Sequence, residues 1–114
     1  MTNKTPKYTK ADLQPILDKI PDAWGKYVSV EPGWYPIVIQ LDQQLSAIDP
    51  SYEIHQVKEK FGGLRYYCSL DTDPSAEGYI KEAEDKAACT CDRCGAPGTL
   101  QGRSWWATRC PGCA

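Results

Sequence analysis

The sequence predicts an α+β fold in which a small antiparallel β-hairpin or sheet packs on two or three helices. Three observations lead to this prediction. Apolar residues recur at helical spacing in three segments, apolar and polar residues alternate on either side of Gly62-Gly63, and a cysteine-rich tail follows. At 114 residues the chain holds one domain's worth of structure. We expect a flexible arm over residues 1–11, an α+β body over 12–90 with a hairpin at 53–70, and a separate small unit over 91–114.

The helices of the body are predicted from apolar spacing and proline positions. A short first helix has Asp12 as its N-cap and carries Leu13, Ile16, Leu17 and Ile20. The strongest helix opens at Pro36 and ends at Asp49-Pro50, with an apolar stripe of Trp34, Val38, Leu41, Leu45 and Ile48. A third helix begins at Asp73-Pro74, which supply an N-cap and a first-turn proline, and has one face of Ala76, Ile80, Ala83 and Ala87. Residues 22–33 are predicted to form a loop.

The hairpin at 53–70 is predicted to turn at Gly62-Gly63, because two glycines accept the positive φ angles of a type I′ turn. Counting outward from that turn sets Lys60 opposite Arg65 and Lys58 opposite Tyr67. Side chains alternate across a strand, so two faces separate. The face expected to pack on the helices carries His55, Val57, Phe61, Leu64, Tyr66, Cys68 and Leu70, with Glu59 as an anomaly on that side. The outer face carries Gln56, Lys58, Lys60, Arg65, Tyr67 and Ser69.

Four residues of the outer face form a candidate ligand-binding site. Lys58, Lys60 and Arg65 concentrate positive charge, which suits an anion and particularly a phosphate, and Tyr67 is placed to stack on a base. The alternative interpretation is an ordinary solvated face, with carboxylates such as Asp71 or Glu53 neutralising the cations.

The cysteines of the tail predict a metal site. Cys91, Cys94, Cys110 and Cys113 are spaced C-x2-C-x15-C-x2-C, which is typical of a zinc ribbon, and the alternative is free thiols or disulfides. Four thiolates leave no open coordination position, so one structural Zn²⁺ without catalytic chemistry is expected. Of the two cysteines left over, Cys68 is expected to be a buried small side chain. Cys89 is expected to pack at a helix end, and the alternative is that it competes as a metal ligand, since it lies two residues before Cys91.

Charge and composition restrict the function classes. The formal net charge of −2 argues against non-specific binding to nucleic acid. The tail is nevertheless locally basic and aromatic, so contact of the ribbon with nucleic acid stays open beside the alternative that the tryptophans attach the ribbon to the body; the residues are Arg93, Arg103, Trp105, Trp106 and Arg109. A single histidine, a closed metal set and no nucleophile motif predict that the protein is not an enzyme. No signal peptide or membrane span is visible, and a cytoplasmic location is expected.

Three segments carry a resemblance to a known group of proteins. They are Gly33–Pro36 (GWYP), Gln56–Tyr67 (QVKEKFGGLRYY) and Cys91–Gly98 (CDRCGAPG). Together they resemble a family of small bacteriophage and prophage proteins. The resemblance implies a phage accessory protein acting in the host cytoplasm, and it implies no catalytic residues.

These observations lead to three functional hypotheses. The first is a non-enzymatic counter-defence protein that sequesters a nucleotide or another phosphate-bearing ligand. The second is an inhibitor or adaptor that docks on a host protein complex through exposed aromatic residues. The third is nucleic-acid binding through the ribbon. The sequence leaves open the ligand, the host target and the oligomeric state.

Overall fold

The structure, a computed structural model, describes residues 8–102 and 106–113. Three α-helices lie in this part of the chain: α1 (Gln14–Leu17), α2 (Tyr35–Ile48) and α3 (Pro74–Ala87). Five strands form two sheets: β1 (Val28–Ser29), β2 (Ile54–Lys60), β3 (Gly63–Cys68), β4 (Thr99–Gly102) and β5 (Trp106–Arg109). Short 3₁₀ turns cover Lys10–Leu13, Asp22–Trp24 and Pro32–Trp34. This content confirms the α+β class.

The two long helices begin and end where the sequence predicted. In α3 the Asp73 carboxylate accepts hydrogen bonds from the backbone N–H groups of Ser75 (2.8 Å) and Ala76 (3.3 Å), which an N-cap requires. The N-cap predicted for the first helix is wrong. The helical turn starts at Lys10, inside the predicted arm, and Thr9 is its N-cap. Asp12 lies three residues later, and its carboxylate accepts from the Thr9 N–H at 2.8 Å. Residues 1–7 of the predicted arm lie outside the described residues.

The first sheet is mixed, which the sequence did not predict. β2 pairs with β3 antiparallel and with β1 parallel, in the order β1-β2-β3. β1 has only two residues and lies within the predicted loop at 22–33. A strand of two residues is too short to show alternation in the sequence. Its position depends instead on the pairing of Val28 with Val57, which lies far along the chain.

The turn of the hairpin lies one residue earlier than predicted. Phe61 (φ 55°) and Gly62 (φ 83°) are the two central residues, which fits a type I′ turn. Lys58 therefore pairs with Arg65, Gln56 with Tyr67 and Lys60 with Gly63, so the predicted Lys60–Arg65 and Lys58–Tyr67 pairs are wrong. The register moves by two residues, and the predicted faces survive because side chains alternate with a period of two.

Two residues assigned to the core face lie elsewhere. Phe61 is 70% exposed because it occupies the turn itself. The second residue is His55, which lies where the register shifts between Ile54 and Gln56. At this irregularity Ile54, and not His55, is fully buried. His55 stays half-buried and stacks on the ring of Trp24, with 4.8 Å between ring centroids.

One apolar core joins the helices to the first sheet. Its largest fully buried side chains come from α2 and the 3₁₀ turn before it, and from the hairpin. They include Trp34, Leu41, Leu45, Ile54, Val57, Leu64 and Tyr66. A polar network crosses this core: the Tyr52 hydroxyl donates to Asp42 at 2.5 Å and lies 2.8 Å from the Tyr66 hydroxyl. Lys19 completes the network with an ion pair to Asp42 at 3.1 Å. Burial raises the pKa of both tyrosines, so their hydroxyls stay protonated.

In the described part of the chain, every helix is too short or too polar to cross a bilayer.

Candidate functional site

The four cysteines of the tail meet in one cluster. The sulfur atoms of Cys91, Cys94, Cys110 and Cys113 all lie within 4.8 Å of one another. Cys94 Sγ and Cys110 Sγ are 3.6 Å apart, and a tetrahedron with metal–sulfur bonds of about 2.3 Å has edges of about 3.8 Å. None of the six cysteines forms a disulfide. The cluster could therefore hold a metal ion.

Two tight turns bring each cysteine pair to the cluster. In the first, the Gly95 N–H donates to the Cys91 carbonyl at 3.0 Å, and Gly95 has the positive φ of 81° that favours glycine. In the second, the Cys113 N–H donates to the Cys110 carbonyl at 3.1 Å. β4 and β5 pair antiparallel between the two turns and return the chain to the cluster. This two-stranded hairpin lies within the fifteen residues between the two cysteine pairs.

The electrostatics of the cluster suit a cation. Burial raises the pKa of the Cys91 thiol, but N–H groups of Cys110, Cys94 and Arg93 outweigh burial and lower that pKa to about 6. Side-chain hydrogen bonds to Cys110 and Cys91 raise the pKa of Cys113 to about 12. Thiolates this close repel one another, so a bound cation is needed before all four can ionise.

The two remaining cysteines lie away from the cluster. Cys68 is buried as predicted, and burial raises the pKa of its thiol to about 11, which makes it a poor nucleophile. Cys89 is exposed, and its sulfur lies 3.5 Å from the carbonyl oxygen of Lys86 at the end of α3.

The ribbon, defined here as the described residues from Cys91 to Cys113, contacts two segments of the body that lie far from it in the sequence. At the first, the Gly33 N–H donates to the Asp92 carbonyl at 2.7 Å, and a Cβ on Gly33 would lie 2.2 Å from the Cys91 oxygen. At the second, the Thr108 hydroxyl donates to the Gly62 carbonyl at 2.7 Å, a contact buried against the hairpin turn. The cysteine cluster is thereby tied to the same hairpin that carries the predicted ligand site.

An ion pair that the sequence did not predict lies at this junction. Arg109 Nε donates to Asp92 Oδ1 at 3.1 Å, and the Asp92 side chain is only 4% exposed. Asp92 and Arg109 each adjoin a cysteine of the cluster, so the pair links the two cysteine turns. The only signal in the sequence is an acid and a base that each neighbour a cysteine, which is too common to interpret.

The four residues of the predicted ligand site share the outer face of β2 and β3. Lys58 and Arg65 are direct cross-strand partners, Lys60 lies one step closer to the turn, and Tyr67 is 41% exposed. Among residues 8–102 and 106–113, no carboxylate pairs with any of the three cations. The proposed neutralising acids have other partners: Glu53 lies 3.9 Å from His55, and Asp71 accepts from the Cys68 N–H.

Aromatic side chains that the sequence did not assign border this cationic face. Trp24, stacked on His55, is 54% exposed. Tyr27 is 53% exposed and directly precedes β1. Alternation along the chain places Tyr27 on the same side as Ser29, which is the parallel partner of Lys58. No sequence pattern could find them, because β1 itself was not predicted.

Glu59 lies on the inner side of β2, as its register position required. Its carboxylate accepts from the Gly62 N–H at 2.6 Å and so holds the turn. Trp106 is half-exposed on β5, while Arg103 and Trp105 lie outside the described residues.

Comparisons of the chain with protein-family models, with curated proteins and with solved structures gave no match.

Proposed function

We propose that the protein is a non-enzymatic binding protein that takes a nucleotide or another phosphate-bearing ligand on the outer face of its first sheet. The observation that carries this proposal is the set of Lys58, Lys60 and Arg65, which share one face without a carboxylate partner among the described residues. Like charges directly opposite each other destabilise a sheet. An anion placed between Lys58 and Arg65 removes that repulsion.

The chemistry of this face favours phosphate joined to a base. The Arg65 guanidinium has the planar fork that matches two phosphate oxygens, while Lys58 and Lys60 act as point charges. Tyr67 offers an exposed ring on the strand beside Gln56, and stacking of a base on an aromatic ring contributes about 1–3 kcal/mol.

Zn²⁺ is the ion that we assign to the cysteine cluster. Soft thiolate ligands in a tetrahedral set select zinc or iron–sulfur centres, and four protein sulfurs close the coordination shell of a single zinc. The bound ion supplies cross-linking and no reaction chemistry. Its role in binding is indirect, because the ribbon holds the hairpin turn through Thr108 and Gly62.

The resemblance to small phage and prophage proteins supports a counter-defence role in the host cytoplasm. A protein without a catalytic site can oppose a nucleotide signal by sequestering it, which requires only affinity and abundance.

Isothermal titration calorimetry against linear and cyclic nucleotides and inorganic phosphate tests the proposal. We expect at least one nucleotide to bind, and Arg65→Ala to weaken it about tenfold or more, because a hydrogen bond to a charged group contributes about 1.5–3 kcal/mol. Lys81→Ala is the matched control, since Lys81 is exposed on α3 and pairs with Asp85. No binding across the panel, or equal losses in the two variants, contradicts the proposal.

A second candidate function is docking on a host protein through the exposed aromatic residues. Trp24 and Tyr27 are each more than half exposed, and Phe61 is 70% exposed at the hairpin turn. Pull-down from host lysate distinguishes the two functions. One stoichiometric protein partner, lost with Trp24→Ala and kept with Arg65→Ala, favours docking.

A further inference from the structure

A cleft lies between the body and the ribbon and is lined by residues of both. It has a volume of about 460 Å³, which lies within the range of small-ligand sites. The body contributes β1, the 3₁₀ turn that follows it and Glu59 of β2, and the ribbon contributes Asp92, Trp106 and Arg109. The cleft is distinct from the cationic outer face, and its charge has the opposite balance.

The unpaired charge of the cleft is mostly negative. Arg109 is compensated by Asp92 at 3.1 Å. Glu31 and Glu59 form no ion pair with any described residue. One carboxylate oxygen of Glu59 accepts a hydrogen bond from the Gly62 N–H. The other oxygen has no hydrogen bond in the described part of the chain. Against these two carboxylates stands one exposed ammonium, that of Lys10.

A tyrosine hydroxyl without a protein partner also lies at this cleft. Tyr35 is 3% exposed and lines the cleft, yet its hydroxyl has no hydrogen-bond partner among the described residues. No fully buried side-chain oxygen or nitrogen of the described residues lacks a partner. The Tyr35 hydroxyl oxygen is therefore not fully buried, and it can pair with a ligand that enters the cleft.

We propose that the cleft binds a planar organic cation, namely a guanidinium group such as that of an arginine side chain. Glu31 and Glu59 supply the carboxylates for its N–H donors, and the Tyr35 hydroxyl accepts one more. Trp106, 52% exposed on β5, supplies the aromatic wall on which a guanidinium stacks. This assignment is independent of phosphate binding at the outer face.

The test compares the binding of two probes to the wild-type protein. Both are amino acids of similar shape whose amino and carboxyl groups are blocked, so that only the side chain can carry a charge. N-acetyl-arginine amide carries the cation, and N-acetyl-citrulline amide replaces it with a neutral urea. We expect saturable shifts of the Trp106 indole N–H and the Glu31 amide in ¹H–¹⁵N spectra with the arginine probe. The citrulline probe should bind at least tenfold more weakly, because it cannot form the charge-assisted bonds.

Variants locate the site and separate its groups. Glu59→Gln keeps an oxygen for the Gly62 N–H and removes the charge, so binding of the arginine probe should weaken several-fold, and Tyr35→Phe should weaken it less. Glu77→Gln, on the exposed side of α3, should leave it unchanged. The proposal fails if neither probe gives saturable shifts, if both bind equally, if N-acetyl-lysine amide binds more tightly than the arginine probe, or if the shifts lie outside the cleft.

Discussion

The body and the ribbon are held together by different forces. The body buries a continuous apolar cluster that runs from Leu13 to Ala87. In the described part of the ribbon, the buried residues are Cys91, Ala107 and Cys110, together with the polar Asp92 and Thr108. The body can therefore fold by removing apolar surface from water, whereas the ribbon has too little such surface and depends on its cysteine cluster, its ion pair and its contacts with the body.

The junction brings segments that lie far apart in the sequence into contact. Gly33 contacts the Cys91–Asp92 backbone, and Gly62 contacts Thr108 and Leu100. Gly33 thus meets the first cysteine turn of the ribbon, and the hairpin turn meets β4 and β5.

The largest predicted effect is loss of the metal ion that we propose for the cysteine cluster. Cys94→Ser removes one of four ligands, and structural zinc contributes about 10–16 kcal/mol in zinc-finger peptides. We expect the amide signals of the ribbon to lose dispersion and those of α2, β2 and β3 to keep it. Cys89→Ser is the control, because its exposed sulfur is outside the cluster. Equal spectra for the two variants would contradict the separation of the two regions.

The second effect is confined to the body. Leu45 is fully buried in α2, so Leu45→Ala should lower the free energy of unfolding by about 2–5 kcal/mol, measured by urea denaturation. Metal content per folded chain should stay unchanged. Leu100→Ala, at a half-exposed ribbon position, should cost much less, and a larger loss there than at Leu45 would reverse the comparison.

A pair of glycines measures how tightly the two regions are joined. A Cβ on Gly33 would lie 2.2–2.6 Å from backbone atoms of Cys91 and Asp92, so Gly33→Ala should destabilise by about 1–3 kcal/mol. Gly78, inside α3, has no atom within 4 Å of an added Cβ. Gly78→Ala should stabilise the protein by about 0.5–1 kcal/mol. Thermal unfolding measures both, and opposite signs are the expected result.

The smallest effect is a loss of stability at alkaline pH. Burial raises the pKa of Cys68 from 9.0 to about 11 in the folded protein. Its contribution is fully present below the unfolded pKa near 9 and is lost as pH rises toward 11, because the unfolded thiol ionises first. We expect the wild type to lose about 1 kcal/mol more than Cys68→Ala between pH 8 and pH 10. Parallel pH profiles for the two proteins would show that the thiol is not held neutral.

The sequence predicted the features that depend on neighbours in the chain. The sequence signals are the prolines that open α2 and α3, the Asp73 cap of α3, the spacing of the four clustered cysteines and the alternation that places Val57, Leu64 and Tyr66 on the inner face. The register of the hairpin could not be predicted in this way, because Gly62-Gly63 and Phe61-Gly62 both contain a glycine that suits a type I′ turn. Long-range contacts decide between them: the ribbon packs on Gly62, and Glu59 and Thr108 hydrogen-bond its backbone. These contacts offset the unfavourable positive φ of Phe61.

The candidate sites show the same division. The cationic face was predictable from alternation alone, since a slip of two residues keeps each side chain on its face. The pairing of Asp92 with Arg109 and the cleft beside it could not be predicted, because both arise where the ribbon contacts the body. No pattern of neighbouring residues in the sequence predicts those contacts.

Metal titration followed by backbone NMR tests the central claim most directly. Protein prepared under reducing conditions without metal should show dispersed signals for α2, β2 and β3 and collapsed signals for the ribbon, including Ala107 and Thr108. One equivalent of Zn²⁺ should restore the ribbon signals and shift the Gly62 amide, with no further change at two equivalents. A ribbon that is already folded without metal, or a body that unfolds with it, would contradict the account.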